Sequence, residues 1–264
     1  MHKNRYVTQI DFLKAIVISG LIAAMAAGAL YYAWHLSKTN INARQQAVFE
    51  ATVEESERAL LNQMSVYHKG AAAAAGFLQA FDGITPEEWR QYTQSLNLKT
   101  IYPGITGIGY VEDIPEAAIP DYLTRQNNSG TAAFQIHPDT AKNQYYIISA
   151  IEPLKDNRTA LGLNITFDQN RLNAAERARD SGKAVITEKL FLVQDREKTP
   201  GFILLYPVYN QSSIELETIE QRRAAFRGWI YTPFVARNFF RDLTAEQGRE
   251  FHIYVYDGQN TDDS

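Results

Sequence analysis

Residues 15–36 read Ala15-Ile-Val-Ile-Ser-Gly-Leu-Ile-Ala-Ala-Met-Ala-Ala-Gly-Ala-Leu-Tyr-Tyr-Ala-Trp-His-Leu36 and contain no Asp, Glu, Lys or Arg. About 20 apolar residues are enough to cross a bilayer as a helix. The run ends in aromatic residues whose amphipathic rings favour the membrane interface, namely Tyr31, Tyr32 and Trp34. The stretch therefore predicts a transmembrane helix over residues 15–36.

The residues before this run carry an excess of positive charge: Lys3, Arg5 and Lys14, with Asp11 as the acidic residue among them. The positive-inside bias then keeps residues 1–14 in the cytoplasm and exports the chain after residue 36. We expect a protein of the inner (cytoplasmic) membrane whose main domain lies in the periplasm or outside. A cleaved signal peptide is the alternative, because the small residues at 26–29 suit a cleavage site. The anchor is favoured because the run is longer than a usual signal core.

The exported part, residues 37–264, is long enough for one large domain or two small ones. The chain has no cysteine, so the fold must be held by packing without disulfides. The net charge is −4, the pI is about 5.8, and the basic residues form no block. Nucleic-acid binding is not expected on those terms.

Residues 37–81 predict one long stalk helix, because apolar residues repeat every seven positions along it. One row consists of Val53, Leu60, Tyr67, Ala74 and Phe81, and the second of Met64, Ala71 and Leu78. A seam of this kind packs against another helix, which would make the protein a homodimer through its stalk. The alternative is an amphipathic helix that lies on its own domain, and both uses are compatible.

Residues 82–210 predict a mixed α/β unit. Thr85 suits a helix N-cap, with Pro86 after it and Glu88 three residues on, and this helix is expected to run to about residue 97. Two further helices are expected at 116–126 and 170–181, the second ended by Gly182. Strands are expected at 105–111, 134–136, 145–152, 184–187, 190–193 and 201–208. Few connections suit parallel crossovers, so the sheet should be largely antiparallel, with helices on one side.

Residues 211–264 predict the beginning of a second unit. A polar loop at 210–221 precedes a strand at 228–231, a helix that starts at Thr232-Pro233, and a strand at 252–256. Such a short unit buries too little apolar surface to be stable alone. We therefore expect the chain to be the N-terminal part of a longer protein. The predicted fold class is α+β, with a transmembrane helix, a stalk helix, one complete unit and one incomplete unit.

Most catalytic and cofactor motifs are missing from the sequence. The five histidines are far apart and lack a second ligand at metal spacing, so neither a zinc site nor a cofactor is expected. The glycines of residues 104–109 lie within a strand pattern, which favours a bent strand over a nucleotide-binding loop. The acidic pairs Glu87-Glu88 and Glu112-Asp113 are expected at the solvated surface.

Several stretches together resemble the CHASE sensory domains of bacterial and plant membrane receptors. They are Pro103-Gly-Ile-Thr-Gly-Ile-Gly-Tyr-Val111, residues 160–164, residues 175–187 with their Gly-Lys-Ala-Val, residues 200–209 and Arg227-Gly-Trp-Ile-Tyr-Thr-Pro-Phe234. The resemblance implies a stalk helix followed by two PAS-like units, of which the membrane-distal unit (82–210) binds a small ligand. It also implies a cytoplasmic output module, such as a histidine kinase or a cyclic-di-GMP enzyme, and no enzyme activity for this segment.

The resemblance also indicates which residues would contact ligand. They are Ile165, Arg171, Thr187, Phe191, Val193, Ile203 and Leu205. In the plant cytokinin receptors of the family, an Asp that contacts the adenine ring matches Arg171 here. Because an arginine accepts no hydrogen bond, cytokinin is not the expected ligand, and an anionic small molecule is the hypothesis. Arg171 as an ordinary surface residue near Asp168 is the alternative at that position.

The sequence leaves two other functions open. A membrane-anchored periplasmic enzyme would need a nucleophile, a base and an orienting group in one pocket, and the sequence shows no such set. A scaffold that binds a partner protein would have no pocket between residues 165 and 206.

Overall fold

The structure is a computed structural model that describes residues 3–81, 83–129, 134–138, 144–195, 197–210 and 216–245. Its contacts divide the chain into two compact units, Met1–Arg58 and Ala59–Ser264.

The first element is a single helix, α1 (Lys3–Gln79), which includes both the predicted membrane segment and the predicted stalk. Within the described residues, one segment, Phe12–Lys38, is long and apolar enough to cross a membrane, with a mean hydropathy of 2.0. Its apolar side chains are exposed, as a lipid-facing helix requires. At its end, the Lys38 ammonium lies 5.2 Å from the centre of the Trp34 ring, a cation–π contact at the expected interface.

Along the C-terminal half of the predicted stalk, the heptad rows of α1 pack against the domain of the same chain. Tyr67, Ala71, Ala74 and Leu78 are buried in one core cluster with residues of the sheet described below. The interpretation of an amphipathic helix lying on its own domain is therefore correct for residues 67–78. Val53, in contrast, is 49% exposed.

In the part of the chain that the structure describes, six strands form one sheet in which every strand pairing is antiparallel. They are β1 (Ile108–Pro115), β2 (Gln144–Glu152), β3 (Val185–Ile186), β4 (Leu190–Phe191), β5 (Pro200–Tyr209) and β6 (Phe226–Val235). Their order is β2-β1-β6-β5-β3, and β4 also pairs with β5. The α+β class and the antiparallel sheet are thus confirmed.

The remaining helices are α2 (Pro86–Ser95), α3 (Leu98–Ile101), α4 (Ile119–Asn128), α5 (Leu154–Asn157), α6 (Gln169–Ser181), α7 (Ile219–Ala225) and α8 (Ala236–Ala245). Two 3₁₀ turns, Glu116–Ala118 and Ile165–Phe167, precede α4 and α6. Thr85 and Glu88 form the predicted capping box at the start of α2. Gly182 ends α6 with a φ of 71°, a conformation that glycine adopts without strain.

Helices cover both faces of the sheet, so the expectation of helices on one side is wrong. Trp229 and Tyr231 of β6 point into a cluster with α6, whereas Ile230 and Phe234 point into the cluster with α1. The cause is the alternation of side chains along a strand. Because β5 and β6 are apolar at both odd and even positions, both of their faces require cover.

The expectation that residues 228–231 open a second unit is also wrong for that strand. β6 lies in the middle of the sheet, paired with β1 on one edge and β5 on the other. A buried two-faced strand and the first strand of a new unit have the same local pattern, and only non-local pairing distinguishes them. The predicted strand at 252–256 lies outside the described residues.

Three local boundaries also differ from the sequence prediction. Thr232 and Pro233 belong to β6, and the helix after it begins at Ala236. The predicted loop at 210–221 leads into helix α7 at Ile219, capped by Thr218. Residues 134–136 form no strand, although His137 makes an isolated bridge to Leu163.

Two glycines of α1 provide a matched test of the packing between this helix and its domain. A Cβ atom on Gly70 would lie 2.6 Å from the Tyr102 ring, whereas one on Gly76 would meet nothing within 4 Å. We expect Gly76→Ala to raise the free energy of unfolding by about 1 kcal/mol through helix propensity. Gly70→Ala should lower it by about 1–2 kcal/mol through overpacking. Chemical denaturation of the detergent-solubilised chain measures both, and a gain for Gly70→Ala would contradict the close contact with Tyr102.

Candidate ligand-binding site

Helix α6 carries Arg171 and is held firmly against the sheet. Asp168 caps its first turn and accepts a 2.9 Å hydrogen bond from the Arg171 backbone N–H. Three small residues of α6 are buried against the sheet, which lets the helix approach closely: Ala174, Ala175 and Ala178. The indole N–H of Trp229 on β6 donates to the Ala175 carbonyl at 2.8 Å. The position of Arg171 is therefore set by β6.

Five of the seven residues predicted to contact ligand are buried on this side of the sheet or at its edge. Ile165, Ile203 and Leu205 belong to the core cluster that α6 covers. Thr187 is also buried, and its hydroxyl accepts a 3.0 Å hydrogen bond from the Ile203 backbone N–H. Ile165, Ile203 and Leu205 thus share one cluster, and Thr187 extends the edge of the sheet.

The other two predicted residues, Phe191 and Val193, have exposed side chains. Their neighbours Leu190 and Leu192 point into the cluster instead, because successive side chains of an extended segment point in opposite directions. Phe191 contributes its backbone carbonyl to the site, which accepts a 3.1 Å hydrogen bond from Arg171 Nη2.

Arg171 is only 3% exposed, so the alternative of a surface arginine is wrong. Its Nη1 lies 3.6 Å from an Asp168 carboxylate oxygen, and its guanidinium carbon lies 5.1 Å from the centre of the Phe167 ring. Its Nε is buried and has no hydrogen-bond partner among the described residues. A buried guanidinium with an unsatisfied donor lowers the stability of the fold, so packing alone does not account for an arginine at this position.

Tyr231 on β6 provides a second unsatisfied polar group near Arg171. Its hydroxyl is buried without a hydrogen-bond partner among the residues that the structure describes. Burial raises the pKa of Tyr231 to about 12, while the positive charge of Arg171 acts in the opposite direction. Tyr231 is absent from the residues predicted from sequence, because its strand was assigned to a second unit. The sequence signal that could have placed Tyr231 is its two-residue spacing from Trp229, because residues two apart in a strand share a face.

The far end of α6 is fixed by a network of charges. Arg223 of α7 donates to both carboxylate oxygens of Asp180, at 2.9 and 2.6 Å. The hydrogen bond from Arg223, with a further one from Arg179, holds the pKa of Asp180 well below its usual range. Arg179 Nη1 also donates to the Tyr146 hydroxyl at 3.0 Å. Helix α6 is thus anchored at its C-terminal end as well.

The acidic pair at 112–113 lies in β1 and is partly buried, so the expected solvated surface is wrong there. Burial raises the pKa of both carboxyl groups. The pair at 87–88 is exposed or half-exposed in the first turn of α2, as expected. In the described part of the chain, the acidic and histidine side chains form no cluster that would hold a metal ion.

A small cavity lies on the opposite side of the sheet, between α1, α3 and β6. It is lined by Tyr67, Gly70, Ala71, Leu96, Leu98, Tyr102, Ile105, Ile108 and Thr232. Its volume of about 10 Å³ is close to what a single water needs. This cavity is therefore too small for an organic ligand.

Comparison with known proteins identifies the class of this domain. Residues 82–264, which are more than half of the chain, match the family described as CHASE domain. The chain belongs to the CHASE domain family. This family is sensory and non-catalytic, so the segment is an extracellular sensing domain. Its N-terminal apolar helix fits a membrane receptor with an outward-facing sensor.

Among solved structures, an extracellular ligand binding receptor from Desulfohalobium retbaense DSM5692 is similar to this chain. The two share 14% sequence identity with a TM-score of 0.41. The match covers 72% of this chain and 25% of the receptor chain, so this chain spans about a quarter of that receptor's length.

Two tyrosines of the same core cluster test the hydrogen bonding in the site. Tyr231→Phe removes a buried hydroxyl that has no partner among the described residues, so we expect the ligand-free chain to keep its stability or gain about 1 kcal/mol. Tyr146→Phe removes the acceptor of the Arg179 hydrogen bond and should cost about 1 kcal/mol. Thermal unfolding followed by circular dichroism compares the two variants. Equal losses in both would mean that the Tyr231 hydroxyl has a partner.

Proposed function

We propose that this chain is the ligand-sensing part of a transmembrane receptor and that it binds a small anionic molecule between α6 and the sheet. The observation that supports this proposal is the buried Arg171: among the described residues, neither its Nε nor the nearby Tyr231 hydroxyl has a hydrogen-bond partner. CHASE family membership supports the sensing role.

The chemistry of Arg171 favours an anion. A guanidinium in an apolar cluster loses hydration, and its ion-pair partner, Asp168, is 3.6 Å away and 31% exposed. A ligand carboxylate would accept hydrogen bonds from Arg171 Nε and from the Tyr231 hydroxyl, which satisfies both groups at once. A neutral ligand would leave the arginine charge balanced only by the partly exposed Asp168 carboxylate at 3.6 Å.

The walls of the proposed site favour an apolar body attached to that anionic group. Ile165, Ile203 and Leu205 are buried in the cluster, and none of them donates or accepts through its side chain. Phe167, 41% exposed with its ring against Arg171, would turn aside to admit the ligand. Phe191 and Val193 are exposed and would line the entrance in this proposal.

Strand β6 provides a route from this site to the stalk. Trp229 and Tyr231 face α6, while Ile230 and Phe234 pack in the cluster that holds α1. A ligand that prefers one arrangement of β6 shifts the population of that arrangement, and the shift is passed to α1 and on to a cytoplasmic output module. In this proposal the unit is the PAS-like ligand-binding unit that the family resemblance implies, and the receptor lies in the cytoplasmic membrane.

We further propose that α1 pairs with α1 of a second copy upstream of Leu60. Phe49 and Val53 are 68% and 49% exposed there, four residues apart on one side of the helix. Tyr67 is not part of this contact, because its side chain is buried within its own domain.

The anion proposal is tested by thermal shift of the detergent-solubilised chain against small carboxylates with apolar bodies, each paired with its neutral amide. A ligand bound only by the folded state at about 100 times its Kd adds about 2.7 kcal/mol of stability. We expect a carboxylate, but not its amide, to stabilise the wild type. Arg171→Met should abolish this shift, and Arg177→Met, an exposed arginine of the same helix, should retain it.

Stabilisation by the amide as strong as by the acid would contradict the anionic ligand. An unchanged thermal shift in Arg171→Met would mean that the ligand does not bind to Arg171. If Arg171→Met fails to fold, Arg171→Lys keeps the charge but loses the planar donor set, and its affinity should fall without loss of the fold.

A further inference from the structure

Arg227 of β6 caps the end of the stalk helix. Its Nη1 donates to the carbonyl oxygens of Leu78, at 3.1 Å, and Phe81, at 3.0 Å. Helix α1 ends at Gln79 and has no basic residue in its own last turn. The partial negative charge of its C-terminal carbonyls is therefore compensated by a cation that belongs to the sheet.

The backbone around Arg227 is tied closely to β1. The Tyr110 hydroxyl donates to the Arg227 carbonyl at 3.0 Å. The next residue, Gly228, has no room for a Cβ atom, which would overlap the Val111 carbonyl. In the β1–β6 register, Gly228 lies opposite Glu112. Glu112, partly buried on β1, thus lies across the strand pair from the residue that follows Arg227.

The surroundings of Glu112 include both cations and neutral hydroxyls. Among the described residues, the groups that interact electrostatically with Glu112 are Tyr110 on β1, Ser149 on β2, Tyr122 and Arg125 on α4, and Arg227 on β6. Glu112 has no ion pair within 4 Å among the described residues. Its carboxylate attracts Arg227 without forming a direct salt bridge in this arrangement.

We infer that this domain also senses protons, with Glu112 as the group that binds the proton and Arg227 as the group that passes its charge state to the last turn of α1. When Glu112 is ionised, its carboxylate competes with the Leu78 and Phe81 carbonyls for the guanidinium. A proton from solvent neutralises the carboxylate, and the Arg227 guanidinium then donates to the Leu78 and Phe81 carbonyls without competition. The last turn of α1 is more firmly capped in acid than at neutral pH.

The direction of the protonation follows from burial. Burial raises the pKa of Glu112, and the positive charges of Arg125 and Arg227 oppose this only in part. A carboxyl group whose pKa is higher in the folded state stabilises the fold below its unfolded pKa. That stability is lost as the pH rises through the folded pKa. Glu112→Gln mimics the protonated form.

The test is hydrogen exchange of the last turn of α1 in the full chain in nanodiscs, from about pH 4 to about pH 8, corrected for intrinsic rates. The Ala80 and Phe81 amides report on this turn through their bonds to Gly76, Phe77 and Leu78. In the wild type we expect protection to fall about two- to fivefold with rising pH, the effect of a cation at a helix C-terminus. Glu112→Gln should hold the acid level of protection throughout, and Arg227→Gln should show the low level throughout.

Asp113→Asn is the matched control. Asp113 is the adjacent carboxyl group of β1, its pKa is also raised by burial, and it interacts with Gln144 and Arg179 on the other face of the sheet. This variant should keep the wild-type pH dependence at the last turn of α1. Protection that does not change with pH in the wild type, or a transition that survives in Glu112→Gln, would overturn the inference.

A second variant covers the case in which Glu112→Gln does not fold. Arg125→Gln removes a positive charge that favours ionised Glu112, so the midpoint of the exchange transition should move to higher pH. An unmoved midpoint in folded Arg125→Gln would equally overturn the assignment to Glu112. Neither experiment depends on Arg171 or on an organic ligand, so neither outcome affects the anion proposal.

Discussion

The pairing of β6 with strands on both of its edges is the constraint on which the rest of this domain depends. β6 bonds to β1 along one edge and to β5 along the other, so its two faces are the centre of both cores. Trp229 fixes α6 on one face and Phe234 packs with α1 on the other. Because interiors are close-packed, a shift of this strand cannot be absorbed on one side alone. The α6 side and the stalk side of the sheet therefore share one rigid element.

Arg171 illustrates how a polar group can be kept in such an interior. Its backbone is needed for the N-terminal turn of α6, where Asp168 caps it, and one of its donors is satisfied by the Phe191 carbonyl. Its Nε and the Tyr231 hydroxyl have no hydrogen-bond partner among the described residues. Such groups cost stability in a ligand-free protein. In a sensor, a ligand that satisfies these groups removes that cost. The resulting difference in free energy favours the ligand-bound arrangement.

Local features of the fold were predictable because they depend on residues that are close in sequence. The capping box of Thr85 and Glu88, the glycine end of α6 at Gly182 and the apolar segment before Ser37 all follow from contacts within a few residues. The errors concern non-local pairing. β6 was expected in a second unit, and Glu112 was expected in solvent. A one-residue change of register moves every side chain of a strand to the other face, and short strands such as β4 carry too little pattern to fix it.

The sequence by itself determined that an apolar helix precedes an α+β domain, that no disulfide holds this domain, and that it resembles the CHASE family, to which it belongs. These properties follow from composition, from short-range periodicity and from ordered motifs. Only the tertiary structure decided that Arg171 is buried, that Tyr231 lies near it, and that Arg227 caps the stalk helix beside Glu112. The physical reason is that burial and charge proximity are set by strand order and register, which residues distant in the chain determine together.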